Sequence, residues 1–77
     1  MSSQKSVPIV NRILDAFKSG KKDSAAFWFY QDNRFILERF FAVRDKNGKY
    51  IGIIQVNQDI TDIRSIEGER KELDWKD

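Results

Sequence analysis

Few side chains in this sequence could do chemistry. Glu38 and Asp59 are carboxylates set beside apolar runs, Gln55 and Asn57 lie two apart, and Trp28 and Tyr30 belong to an aromatic cluster, Phe27-Trp28-Phe29-Tyr30. There is no histidine and no cysteine, which removes the commonest general base, the commonest metal ligand and every thiol. Zinc sites and disulfides are therefore excluded. No nucleophile stands with a base, and no glycine-rich phosphate loop is present, so the carboxylates alone do not make an enzyme. The functions left open are binding and interaction.

Charge narrows the partners. The 14 basic residues are nearly offset by 12 acidic ones, leaving +2, spread along the chain. Arg34, Arg39 and Arg44 fall five apart, which on a strand sends alternate ones to opposite faces and builds no basic stripe. They read as a solvated surface, and nucleic acid is not the expected partner. The apolar runs are far shorter than the roughly 20 residues that span a bilayer, and Met1-Ser2-Ser3-Gln4-Lys5 leads into no signal-peptide core. The expectation is a cytoplasmic protein that does not enter the membrane.

Five elements must position these residues, in one small α+β domain over residues 1–77. A chain of this length buries only about 60% of its unfolded surface, so it has little stability to spare. Ser6 stands where a helix N-cap would, with Pro8 in the first turn, where a missing N–H costs nothing. Val10, Ile13, Leu14 and Phe17 then mark one apolar helix face. The helix is expected over 7–18, stopped by Lys18-Ser19-Gly20-Lys21-Lys22 with Gly20 in the left-handed conformation. Three strands are expected within 24–58, forming an antiparallel meander. The first, Ser24 to Tyr30, turns at Gln31-Asp32-Asn33-Arg34 into Phe35 to Val43. The second turns at Asn47-Gly48, where both residues tolerate positive φ, into Tyr50 to Gln58. Ile63, Ile66, Arg70 and Leu73 are spaced 3, 4 and 3 apart, the pattern of an amphipathic exit helix over 61–75 that Asp59 or Thr61 could cap. Gly68 in its middle costs about 1 kcal/mol relative to alanine, so this helix needs a partner, and Ile63, Ile66 and Leu73 are expected to pack against a sheet face or a partner helix.

The sheet poses a covering problem. On the middle strand Ile36, Glu38, Phe40 and Ala42 alternate with Phe35, Leu37, Arg39, Phe41 and Val43, and both sets are mainly apolar. Ile51 and Ile53 oppose Ile54 and Val56 in the same way. One helix covers one face, so a second apolar face implies another layer, from the exit helix or from another chain. Glu38, if inward, must be a paired buried carboxylate, or the face assignment fails.

Arg44-Asp45-x-x-Gly48, then a strand, Gly52 and a closing Asp59-Ile60-Thr61, resembles the end of a PAS domain. Ser6-Val7, Ile13-Leu14, Phe17, Ser19-Gly20, Phe27-Trp28, Glu67-Gly68-Glu69-Arg70 and Leu73-Asp74-Trp75 extend the resemblance to PAS units of prokaryotic proteins that also carry a hemerythrin-like helical region. It implies a truncated PAS-like fold. The 7–18 helix would be the one beside the ligand cavity, and the three strands the last three of a five-stranded sheet. Relatives often carry a Cys-His-Pro segment before the helix; Met1-Ser2-Ser3-Gln4 stands there instead, so no metal, haem or redox role carries over. Flavin adducts through a thiol and haem held by histidine have no residue to form them. Glu38 also departs from the apolar residue usual at its position.

On this resemblance Ile13, Leu14, Phe17, Trp28, Tyr30 and Phe40 would line a cavity for a small apolar or planar ligand, unless the same aromatic residues simply fill the core. Gln55 and Asn57 resemble polar ligand contacts, and could equally face solvent. Asp59 and Thr61 resemble the junction that ties the last strand to the exit helix. The implied function is a non-catalytic sensory or interaction module, homodimeric through a sheet edge or face. The alternative is a purely structural dimerisation module with a filled core and no ligand.

Overall fold

The computed structural model describes residues 6–76. Helix α1 spans Val7–Lys18, and its first turn contains Pro8. Ser6 before it is extended and makes no side-chain cap bond; its carbonyl accepts the Val10 N–H at 3.0 Å. At the other end Gly20 takes φ +81°. Its N–H donates to the Phe17 carbonyl at 3.2 Å, while the Lys21 N–H reaches back to the Ala16 carbonyl at 3.0 Å. This bond pair closes a helix whose next residue is left-handed.

Strands β1 (Ser24–Gln31), β2 (Arg34–Arg44) and β3 (Tyr50–Asp59) form an antiparallel sheet in the order β1-β2-β3. The helix and meander are as the sequence predicts, but the two turns differ in kind. Asp32 and Asn33 both have positive φ, 53° and 64°, and form the tight two-residue link between Gln31 and Arg34, the backbone that best matches strand twist. In the second turn Gly48 is left-handed at φ +84° and Asn47 is not. Here Asp45 is the organiser: its Oδ1 accepts the N–H groups of Asn47 and Lys49 at 2.8 and 2.9 Å, and its carbonyl accepts the Gly48 N–H. A short carboxylate bonding to backbone donors two and four residues on supplies what an Asn-Gly pair would otherwise need from its dihedrals. The register slips between Val43 and Arg44 to accommodate the longer link.

The expected exit helix over 61–75 is replaced by a single 3-10 turn, Ile63–Ser65, and no regular structure follows through residue 76. Gly68 sits at φ +70°, outside the helical region. Ile66 and Leu73 stay 73% and 65% exposed, and Ile63 is also exposed, so within the chain these three do not pack on the sheet face. A short segment with no tertiary partner cannot offset the cost of helix nucleation.

Cross-strand pairing assigns the faces. Phe27 opposes Glu38, Glu38 opposes Asn57, and Phe40 opposes Ala25 and Gln55; these form the inner face, beneath α1. Trp28 opposes Leu37, and Phe41 opposes Ile54; these form the outer face. Phe17, on α1, is the one buried apolar side chain among the described residues. Arg44 clamps the helix to the sheet, its Nη2 donating to the Phe17 carbonyl at 2.8 Å and its Nε to Asp23 Oδ1 at 3.1 Å. A guanidinium at the last turn also meets the negative end of the helix dipole. Among the described residues no helix is long and apolar enough to cross a membrane.

Candidate functional site

The inner face holds two spaces between α1 and the sheet. The larger, about 360 Å³, is a groove along β1 lined by Ile9, Arg12, Ile13, Ala16, Phe17, Lys22, Ser24, Ala25 and Phe27. The smaller, about 40 Å³, lies among Val10, Ile13, Leu14, Phe40 and Ile53. Of the residues proposed from sequence, the structure thus brings Ile13, Leu14, Phe17 and Phe40 to one layer. Phe27 joins them, its ring edge-on to Phe40 with centroids 6.0 Å apart.

Trp28 and Tyr30 do not share this layer. Successive strand residues point to opposite faces, and because Phe27 pairs with inward Glu38, Trp28 and Tyr30 face outward with Leu37 and Phe35. They are 64% and 69% exposed. Their place beside the helix belongs to Phe27, and the aromatic cluster alone could not say which parity faces in.

Gln55 and Asn57 are on the inner face, on exposed stretches of β3. Gln55 Nε2 donates to Glu38 Oε2 at 2.9 Å and lies 3.2 Å from Asn57 Oδ1. Glu38 itself is 1% exposed. It is the buried, paired carboxylate that the alternation required if it pointed inward, and the hydrogen bond offsets part of its desolvation.

A second constellation closes the sheet. Asp59 Oδ1 accepts both the N–H and the hydroxyl of Thr61, at 3.0 and 2.6 Å. Thr61 Oγ1 in turn accepts the Phe35 N–H at 2.7 Å, and Asp59 Oδ2 receives Arg34 Nε at 2.7 Å. The Ile60 N–H continues the tie, donating to the Phe35 carbonyl at 2.8 Å. The Arg34 hydrogen bond, then those from Thr61, hold the Asp59 carboxyl down at about 2, and the same pair raises Arg34. Asp59 and Thr61 therefore bind the end of β3 to the start of β2, and the segment they launch is a 3-10 turn. From that turn Arg64 returns to the outer face: its guanidinium stacks 3.8 Å from the Phe35 ring centroid and donates to the Tyr30 hydroxyl at 2.7 Å.

Sequence reasoning missed the arginines. Arg34 and Arg44 read as solvated surface, yet each holds a carboxylate more than twenty residues away in sequence. Only the strand register brings these partners together. The one local signal was the position of Arg34 and Arg44 at the two ends of β2, beside the closing junction and the helix stop.

Comparison with known proteins supplies the wider frame. Residues 1–61 match the family model described as PAS domain. A solved structure, the crystal structure of a C-terminal domain from Streptococcus mutans, superposes with a TM-score of 0.76 at 24% identity, covering 86% of this chain and 51% of that one. The likeness is one of fold, and the chain spans about half the length of that neighbour. No curated protein matches.

Proposed function

Because the chain belongs to the PAS domain family, we propose that it is a non-catalytic sensory and interaction module, taking a small ligand between α1 and the inner face and pairing with a second copy through the outer face. Its resemblance to PAS units that accompany a hemerythrin-like region supports a place within a larger sensing protein. The observation that carries the reading is the pair of apolar faces served by a single helix. The inner face keeps an open groove of about 360 Å³ under α1, while the outer face leaves Trp28 and Ile54 64% and 52% exposed beside Leu37 and Phe41. A two-fold axis needs a patch that complements itself, and an apolar surface whose β2 carries one charged side chain, Arg39, meets that need.

The filled-core alternative draws support from the other end of the helix. The space among Leu14, Phe40 and Ile53 is only about 40 Å³, close to the room that one water takes. Any ligand must therefore sit toward β1.

Sedimentation equilibrium at micromolar concentration tests the pairing: a dimer is expected, and Ile54→Asp should shift it toward monomer and lower its melting temperature. A well-folded wild-type monomer that fails to associate on concentration would sink the pairing. Native against denaturing mass spectra test the ligand, with a co-purifying small molecule expected and none in any preparation favouring the filled core.

A further inference from the structure

The groove along β1 is not uniformly apolar. Its floor is Ile13, Phe17, Ala25 and Phe27, and the two charged side chains among its lining are both cations, Arg12 from α1 and Lys22 from the loop after it. No acid lines it. Glu38, the carboxylate of the inner face, is absent from the lining, and Asp23, next to Lys22, is turned to Arg44 at 3.0 Å. Arg12 and Lys22 enter no ion pair with Asp or Glu among the described residues. Both are on exposed backbone, with long stems able to lie along apolar surface while the charged heads stay wet.

An apolar trough whose own charged lining is two cations favours an apolar anion. We propose that the groove is a site for a small apolar anion, a medium-chain carboxylate or an aryl acid, with its hydrocarbon part on Phe17 and Phe27 and its acid group between Arg12 and Lys22. The volume, about 360 Å³, lies at the lower end of the ~300–1,000 Å³ of small-molecule sites. A cation would meet like charge at the mouth, and a neutral alcohol would gain the burial without the charge-assisted hydrogen bonds. This assignment rests on the ligand reading proposed above and adds the charge class that the site selects.

Three probes that share a chain and differ in head group decide it: octanoate, octanol and octylammonium, titrated into the full chain and followed through the backbone amide resonances of Ala25 and Phe27. Octanoate should bind tightest and shift those resonances. The double variant Arg12→Gln, Lys22→Gln, which alters only exposed positions, should weaken octanoate roughly tenfold, as expected for losing a charge-assisted hydrogen bond, and leave octanol unchanged. If octanol or octylammonium binds as well as octanoate, or the variant keeps the octanoate affinity, the charge assignment is overturned while the ligand cavity stands. If none of the three binds at millimolar concentration, both fall.

Discussion

Asp59 is the residue on which most of the junction converges. It is tied to Arg34 and twice to Thr61, and its carboxyl is lowered from 3.8 to about 2, by the Arg34 hydrogen bond first and by Thr61 next. A group whose folded value lies below its unfolded one adds stability that is complete above the unfolded value and disappears as pH falls through the folded one. The urea midpoint of the wild type should therefore exceed that of Asp59→Asn by a constant amount above about pH 5, and the gap should close as pH drops from 3.8 toward 2. Taking the difference between the two proteins removes the titration of the other carboxylates. A gap that did not change with acid would mean that Asp59 contributes nothing through its charge.

At the scale of elements, α1 is fastened at its C-terminal end, by Arg44 and by the closure at Gly20. Arg44 is only 21% exposed and bonds to the Phe17 carbonyl, the Lys22 carbonyl and Asp23. Arg44→Ala should destabilise the fold by about 1.5–3 kcal/mol, the range for hydrogen bonds to a charged group. In hydrogen exchange, the amides of Gly20 and Lys21 should then lose protection. Gly20→Ala tests the backbone alone. An added β-carbon at Gly20 meets no atom within 4 Å, so the change reads the left-handed penalty without a clash. Thermal melting should report a loss of about 1–2 kcal/mol. If the chain tolerates alanine there unchanged, α1 does not depend on that closure.

The whole molecule has one buried apolar side chain among its described residues, Phe17, and wide apolar surfaces beyond it. A core this thin ties stability to association, so the melting temperature should climb with protein concentration, as it does when folding and dimerisation are linked. Concentration-independent melting would separate the two. The C-terminal segment behaves differently. After the 3-10 turn, the ion pairs Arg70–Asp74 and Lys71–Glu69 join residues of the segment to each other, whereas Arg64 reaches the sheet at Tyr30 and Phe35. Removing residues 67–77 should leave the melting temperature within the ±0.5 kcal/mol equivalent of a surface change. Arg64→Ala should cost about 1 kcal/mol through its lost stacking and hydrogen bond. A large loss on truncation would show that the segment packs on the sheet in solution.

Local physics was legible in the sequence. The i, i+3, i+4, i+7 spacing of Val10, Ile13, Leu14 and Phe17 marked α1, Gly20 marked its end, and alternating apolar residues with turn signals between them marked three strands. Of the Asp59-Ile60-Thr61 junction only the local bonds from Thr61 to Asp59 lie between near neighbours; its ties to Arg34 and Phe35 span 25 and 26 residues, and the expected exit helix it was to cap is a 3-10 turn. The tertiary structure decided everything that depends on register. Period-two alternation divides Phe27 and Phe29 from Trp28 and Tyr30 but leaves open which pair faces the helix, and the pairing of Phe27 with Glu38 settled it. Register likewise gave Arg34 and Arg44 their carboxylates. The exit segment failed to become a helix for a related reason: its apolar spacing describes a face, and a face forms a stable helix only when something packs against it.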